Sequence, residues 1–174
     1  MTMTLVQTVT VGAGGAASIE FTGIPQTGTD LVVVVSARAS NAVTEWPLTI
    51  KFNSISTGYS SRFLEGSGTA ASSNNGSTTA GSCGYHPAAN VTTSTFGSST
   101  IYIPNYTSSI AKSYSADTVL ENNTTATRST ILAGAWSGTA AITSISIFGG
   151  STMVQYSTAS LYTITKGSGG ATVS

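Results

Sequence analysis

Apolar and polar residues that alternate with period two, an abundance of β-branched side chains and the lack of helical periodicity predict an all-β protein. Many short strand candidates bounded by Gly, Asn, Ser and Pro make an antiparallel two-sheet β-sandwich the expected architecture. A count near eight makes it jelly-roll-like. A chain of 174 residues and 17.5 kDa suits one core. The expected domain is therefore 1–165, followed by a flexible tail at 166–174 that has too few apolar groups to pack alone.

The strands read off in order. Leu5–Val11 places Leu5, Gln7, Val9 and Val11 on one face, and the glycines of Gly12–Gly15 break it. Ser18–Thr22 alternates and ends at Pro25 and Gly28, where a corner is expected. Asp30–Arg38 holds five consecutive apolar residues, the pattern of a central strand covered on both faces. In Leu48–Asn53, Leu48, Ile50 and Phe52 oppose Thr49 and Lys51, so one face meets water, and Ser56–Leu64 continues as a further strand. From Gly66 to Ser99 the composition falls to Gly, Ser, Thr, Ala and Asn, which reads as a long insertion loop; such loops are usually functional or mobile. Strands resume at Thr100–Pro104, Ile110–Leu120, Thr127–Trp136, Ala141–Phe148 and Ala159–Thr165, for a total of eight to ten. There are no heptads and no internal repeats.

Charge narrows the function. Only 7% of residues are charged against about 25% in an average soluble domain, while Ser and Thr make up roughly a third of the chain. Formal net charge is zero and the Lys and Arg residues stand singly from Arg38 to Lys166, so there is no basic stripe for nucleic acid. A neutral surface lacks the self-repulsion that keeps monomers apart, which favours assembly. No stretch approaches 18 apolar residues and the first residues lack the pattern of a secretory signal, so neither membrane insertion nor that export route is expected.

Reactive groups do not converge. Cys83 is the only cysteine and His86 the only histidine, which leaves no disulfide framework and no cysteine zinc cluster. A Cys83–His86 pair lacks an orienting acid within twenty residues of the histidine on either side. Glu20, Asp30, Glu45, Glu65, Asp117 and Glu121 are isolated from one another, whereas glycoside hydrolysis needs two that flank one bond. Gly12–Gly15 joins two strands and opens no helix, so it is a turn and not a phosphate loop. Asn-x-Ser/Thr triplets at Asn75, Asn90, Asn105, Asn122 and Asn123 follow from the Ser/Thr content. The expectation is thus no enzyme, no cofactor and no metal. Trp46, Trp136 and most tyrosines are assigned to the core; Tyr85, His86, Phe96 and Tyr106 are the candidate partner contacts.

Several segments carry a family likeness: Phe21–Leu31 (FTGIPQTGTDL), Leu48–Asn53 with Tyr59–Ser60, Ile101–Tyr106 (IYIPNY), Ala141–Ile147 (AITSISI) and Ser157–Tyr162 (STASLY). In these the chain resembles small jelly-roll virion proteins of tailed bacteriophages, the capsid decoration or cement proteins, which are related to jelly-roll domains of head and tail fibres. The likeness spans nearly all of the first 165 residues. Its segments are strand entries and corners: Ile24-Pro25 and Ile103-Pro104 end strands, and Asn53 and Asn105 suit turns. The resemblance implies a capsid-surface structural protein, a homotrimer in contact with the major capsid protein. Its alternative is a fibre protein that binds host glycan; the absence of room for a trimerising shaft favours the cement role.

Overall fold

A computed structural model describes residues 1–122 and 127–166. Its twelve strands are β1 (Thr2–Thr10), β2 (Ala16–Phe21), β3 (Asp30–Ala37), β4 (Glu45–Phe52), β5 (Tyr59–Ser67), β6 (Ala70–Asn75), β7 (Gly81–Pro87), β8 (Gly97–Ile103), β9 (Lys112–Leu120), β10 (Arg128–Trp136), β11 (Ile145–Met153) and β12 (Thr158–Thr165). No helix occurs among the described residues. The expected tail lies, beyond Lys166, outside them, as does Asn123.

Two antiparallel sheets make up the sandwich, one of eight strands in the order β1-β12-β3-β8-β9-β10-β5-β6 and one of four in the order β2-β11-β4-β7. The pairings are nested. β5 pairs with β6, β4 with β7, β3 with β8, β2 with β11 and β1 with β12. β9 and β10 extend the β8 arm as a meander. The chain is therefore one long hairpin folded back and forth between two layers, and its period-two patterning makes this possible by giving each strand a single core face.

That face is sharply defined in β8, β9 and β10, where buried and exposed residues alternate along most of each strand. From the small sheet Leu48, Ile50 and Phe52 enter the core fully buried. Phe52 lies 5.6 Å from the Trp136 ring, 5.9 Å from Tyr114 and 6.0 Å from Tyr59, all on the large sheet. Its backbone N–H also donates to the Tyr59 hydroxyl at 2.7 Å, so packing and hydrogen bonding tie the layers at one point. β3 is interior to its sheet, and its outer face is covered only in part. Leu31, Val33 and Val35 are buried on the core side, and on the other side Asp30 and Val32 are buried while Val34 is 38% exposed, so the expected cover on both sides holds for only part of the strand. Asn53 and Asn105 both adopt positive φ, the turn geometry expected of them. Asn53 then holds the 141–144 segment, accepting from the Thr143 N–H at 2.8 Å and donating to the Ala141 carbonyl at 2.8 Å.

The insertion expected at 66–99 is not one loop. It contains the end of β5, all of β6 and β7 and the start of β8; outside the strands are the 68–69 turn, 76–80 and 88–96. β7 escaped notice because its small residues are imposed by close packing. A Cβ on Gly84 would lie 2.6 Å from the Thr118 side chain, and Gly84 has φ +96°; one on Gly81 would lie 2.4 Å from the Tyr114 hydroxyl. β6 has no alternation to detect, since all six of its residues are exposed. The irregular 88–96 segment is wound around a cation. The Arg38 guanidinium, buried at the end of β3, donates to the carbonyls of Thr92 at 2.9 Å, Thr95 at 3.1 Å, Val91 at 3.1 Å and Ala89 at 3.4 Å.

Two outcomes follow. Phe52→Ala should lower unfolding free energy by about 3–5 kcal/mol, while Ile131→Thr on the open face should change it by less than about 0.5 kcal/mol; chemical denaturation measures both. Arg38→Leu should open the 88–96 segment to limited proteolysis under conditions that leave the native chain uncut, because four backbone carbonyls lose their donor.

Candidate functional site

The residues expected to meet a partner fall into two groups. Tyr85 is half-buried on β7, with the Arg128 guanidinium 4.3 Å above its ring and the Phe63 ring 6.4 Å away. Phe96 is half-buried next to the Arg38 segment. Tyr106 and His86 are fully buried, and as partner contacts both are corrected. The Tyr106 hydroxyl donates to the Pro25 carbonyl and accepts from the Gly28 N–H, which locks the corner at 25–28 from within.

His86 belongs to a buried hydroxyl chain. Nδ1 lies 3.1 Å from the Ala37 carbonyl and Nε2 lies 2.7 Å from Ser99 Oγ. Ser99 Oγ is 2.8 Å from Thr118 Oγ1, which donates to the Cys83 carbonyl at 2.5 Å. A carbonyl can only accept, so the neutral ring carries its proton on Nδ1 and accepts from Ser99 at Nε2. With the Thr118 proton on the Cys83 carbonyl, the Ser99–Thr118 approach is an oxygen–oxygen contact without a proton of its own. The pair has the spacing of a nucleophile and its base. Yet both side chains are buried, at 1% or less exposure, and beyond the serine stands a hydroxyl rather than an acid. Burial pushes the imidazole down to about 4, against the smaller opposing effect of the Ala37 bond. Burial also raises the Cys83 thiol far above its ordinary range, so it is an inert core group. Among the described residues no group of three or more His, Cys, Asp or Glu side chains could hold a metal ion.

Most of the few charges are used inside the fold. Lys112, buried, donates to the carbonyls of Ser108 at 2.7 Å and Ile110 at 2.5 Å. Arg128 on β10 reaches Glu45 on β4 at 2.7 Å and Glu65 on β5 at 2.8 Å, which clamps the two sheets together. Burial alone raises the Asp30 carboxyl, but the Tyr102 hydroxyl at 2.7 Å, the Asn105 N–H at 3.0 Å and Lys166 at 3.2 Å outweigh it and hold the group below its ordinary value. With Arg38 caged as well, Lys51 and Arg62 are the cations that remain. Lys51 sits 4.8 Å over the Phe148 ring, and Arg62 meets the carbonyl of Ser61 at 2.9 Å.

The outer face of the eight-stranded sheet carries Arg62 and Asp117 and is otherwise largely uncharged and partly apolar. Leu64 on β5 and Ile131 on β10 are opposed in register and are 64% and 67% exposed. Val119 on β9 is 46% exposed and pairs with Ser129, two positions before Ile131. The same row continues through Asp117, Thr100 and Val34 to Ser160. Two shallow depressions of about 690 and 580 Å³ share Leu64, Ser73 and Ile131. A third cleft of about 490 Å³ lies on the small sheet, against Lys51, Phe148, Ser18 and Ser146.

The Leu64–Ile131 row was missed in the sequence because alternation was read only for the buried phase. In Arg128–Trp136 the core phase is Thr130, Leu132, Gly134 and Trp136, and an Ile in the opposite phase was the available signal. The chain matches no protein-family model, and neither a curated protein nor a solved structure shows detectable similarity to it.

His86 gives a pH test. Its neutral form is favoured in the fold, so the unfolded chain binds the extra proton first as pH falls. Its contribution is complete above pH 6.5 and is lost as pH falls toward about 4, a change of about 3 kcal/mol. Melting temperature should therefore decline across that window, ahead of the loss due to Asp30, which begins only below its ordinary 3.8. A His86→Gln variant, less stable at neutral pH, should melt at a nearly constant temperature over the same window.

Proposed function

We propose that this chain is a structural protein of a tailed-bacteriophage virion, a cement or decoration protein that stabilises the capsid by protein–protein contact. The observation that carries the reading is the open face of the large sheet: an exposed apolar patch made by the paired Leu64 and Ile131 with Val119 diagonal to them, beside Asp117, on a protein with only 7% charged residues. A face of this kind loses little by desolvation and gains by burying apolar surface, which suits a permanent contact with a protein shell. The major capsid protein is the partner, and the capsid surface the location. A homotrimer is implied by the family likeness alone and is not required by this reading; the mass of the purified protein tests it.

The nested strand pairing supports the jelly-roll part of this reading. A jelly roll is a long antiparallel hairpin wrapped across two sheets, and the arms here pair from the innermost β5·β6 outward to β2·β11 in that manner. β1·β12 and the β9–β10 meander are additions to that plan.

Binding to the assembled shell but not to free subunits stabilises the shell by mass action. Purified protein added to capsids that lack it should therefore raise their resistance to heat and osmotic shock. The Leu64→Asp, Ile131→Asp double variant should fold normally and neither bind nor protect. Capsids equally robust with and without the protein would refute the clamp.

The glycan-binding alternative has one feature in its favour, the Phe148 cleft with Lys51 and hydroxyls at its rim. Trp46 and Trp136, both buried, are not available to a sugar. Binding on a glycan array that is lost in Phe148→Ala would select this reading over the clamp.

A further inference from the structure

Among the described residues the two sheets have four free edges, and three carry a feature that hinders pairing with another chain. β1 is broken by a register shift between Leu5 and Gln7, β2 presents the exposed Glu20, and β7 contains Pro87 and pairs irregularly with β4. Bulges, charges and prolines are the usual protections of a sheet edge. β6 has none of them. Its sequence Ala-Ala-Ser-Ser-Asn-Asn is uncharged, its register with β5 is unbroken from Arg62↔Asn75 to Ser67↔Ala70, and both of its faces are bare.

The backbone direction along β6 can be worked out. The Gly76 N–H donates to the Ser61 carbonyl on β5 at 3.2 Å. Alternation then turns the backbone groups of Ala70, Ser72 and Asn74 toward β5 and those of Ala71, Ser73 and Asn75 away. The Asn75 N–H accordingly takes its partner from the Asn74 side chain, at 2.8 Å. Ala71 and Ser73 are left presenting N–H and C=O groups outward from the sheet.

We infer that β6 is a self-association edge, which pairs antiparallel with β6 of a second copy about a two-fold axis, Ala71 of one copy opposite Ser73 of the other. The second copy is the occupant for three reasons. A two-fold contact needs only one suitable edge per chain, whereas head-to-tail pairing must use a second edge, and each of the others is hindered. Side chains no larger than Asn on both strands let the backbones approach. Zero formal net charge removes the repulsion between copies. Since Ser73 lies opposite Leu64 and Leu64 opposite Ile131, while Ala71 lies opposite Gly66, the joined sheets carry the two Leu64–Ile131 pairs on one face, in rows two residues apart.

This deepens the structural reading above by naming a partner, and it is measured on free protein, so its failure and a failure to attach to capsids are separate results. Sedimentation velocity from low-micromolar to millimolar concentration should show a species of twice the 17.5 kDa chain mass. Ala71→Pro removes an outward donor without touching the β5–β6 ladder and should leave a folded monomer across that range. Amide exchange of the native protein gives a readout independent of any variant: the Ala71 and Ser73 amides should be protected at high concentration and exchange freely at low. A native monomer at every concentration, a trimer, a dimer that survives Ala71→Pro, or amides at 71 and 73 indifferent to concentration would each overturn the inference.

Discussion

The fold depends on burial of one apolar face per strand against the opposite layer, and it is tightest where Phe52 from the small sheet meets Tyr59, Tyr114 and Trp136 from the large one. A strand with period-two patterning has one such face, so two layers are the fewest that satisfy every strand. The layers are unequal, eight strands against four. β6 therefore projects with both faces bare, and the large sheet keeps an open outer side. The surfaces available for contact are a by-product of how the core is closed.

Polar chemistry inside the protein serves the same closure. Arg38 and Lys112 are cations whose recorded partners are neutral oxygen atoms, mostly main-chain carbonyls, a role that a bound metal ion fills in other loop-rich folds. The Arg128 clamp joins the sheets, and the His86 chain of hydroxyls satisfies polar groups that would otherwise be buried unpaired. Few charges remain for the exterior, so the surface is governed by hydroxyls, backbone and scattered apolar side chains. This is the physical link between composition and the proposed role.

Much of this was legible in the amino-acid order, and the rest was hidden for definite reasons. β3, β4, β8 and β10 announce themselves through alternation or β-branched runs, and the paired Asn turns through residue type. β7 was hidden because Gly81 and Gly84 are small on account of Tyr114 and Thr118, which lie more than thirty residues away. His86 was read as a loop residue because its neighbours are small, although its partners Ala37 and Ser99 come from two other strands and Ser99 meets Thr118 on a third. Tyr106 follows a turn and looked exposed, but its hydroxyl is held by Pro25 and Gly28 from a distant corner. Sequence patterning reports the faces of single strands; it is silent on what another layer brings against them.

The nested pairing also ranks the strand pairs by the cost of closing them. Only the innermost partners, β5 and β6, are adjacent, joined by a short turn; each pair outside them must close a longer span, and β1 waits for β12. During synthesis the amino-terminal strands leave the ribosome long before their mates exist, so an apolar run such as Val32–Val35 stands unprotected meanwhile. Loop-closure entropy favours local pairs, so the β5–β6 hairpin and the β8–β9–β10 meander are the cheapest pieces to close, and β1 with β12 the most expensive.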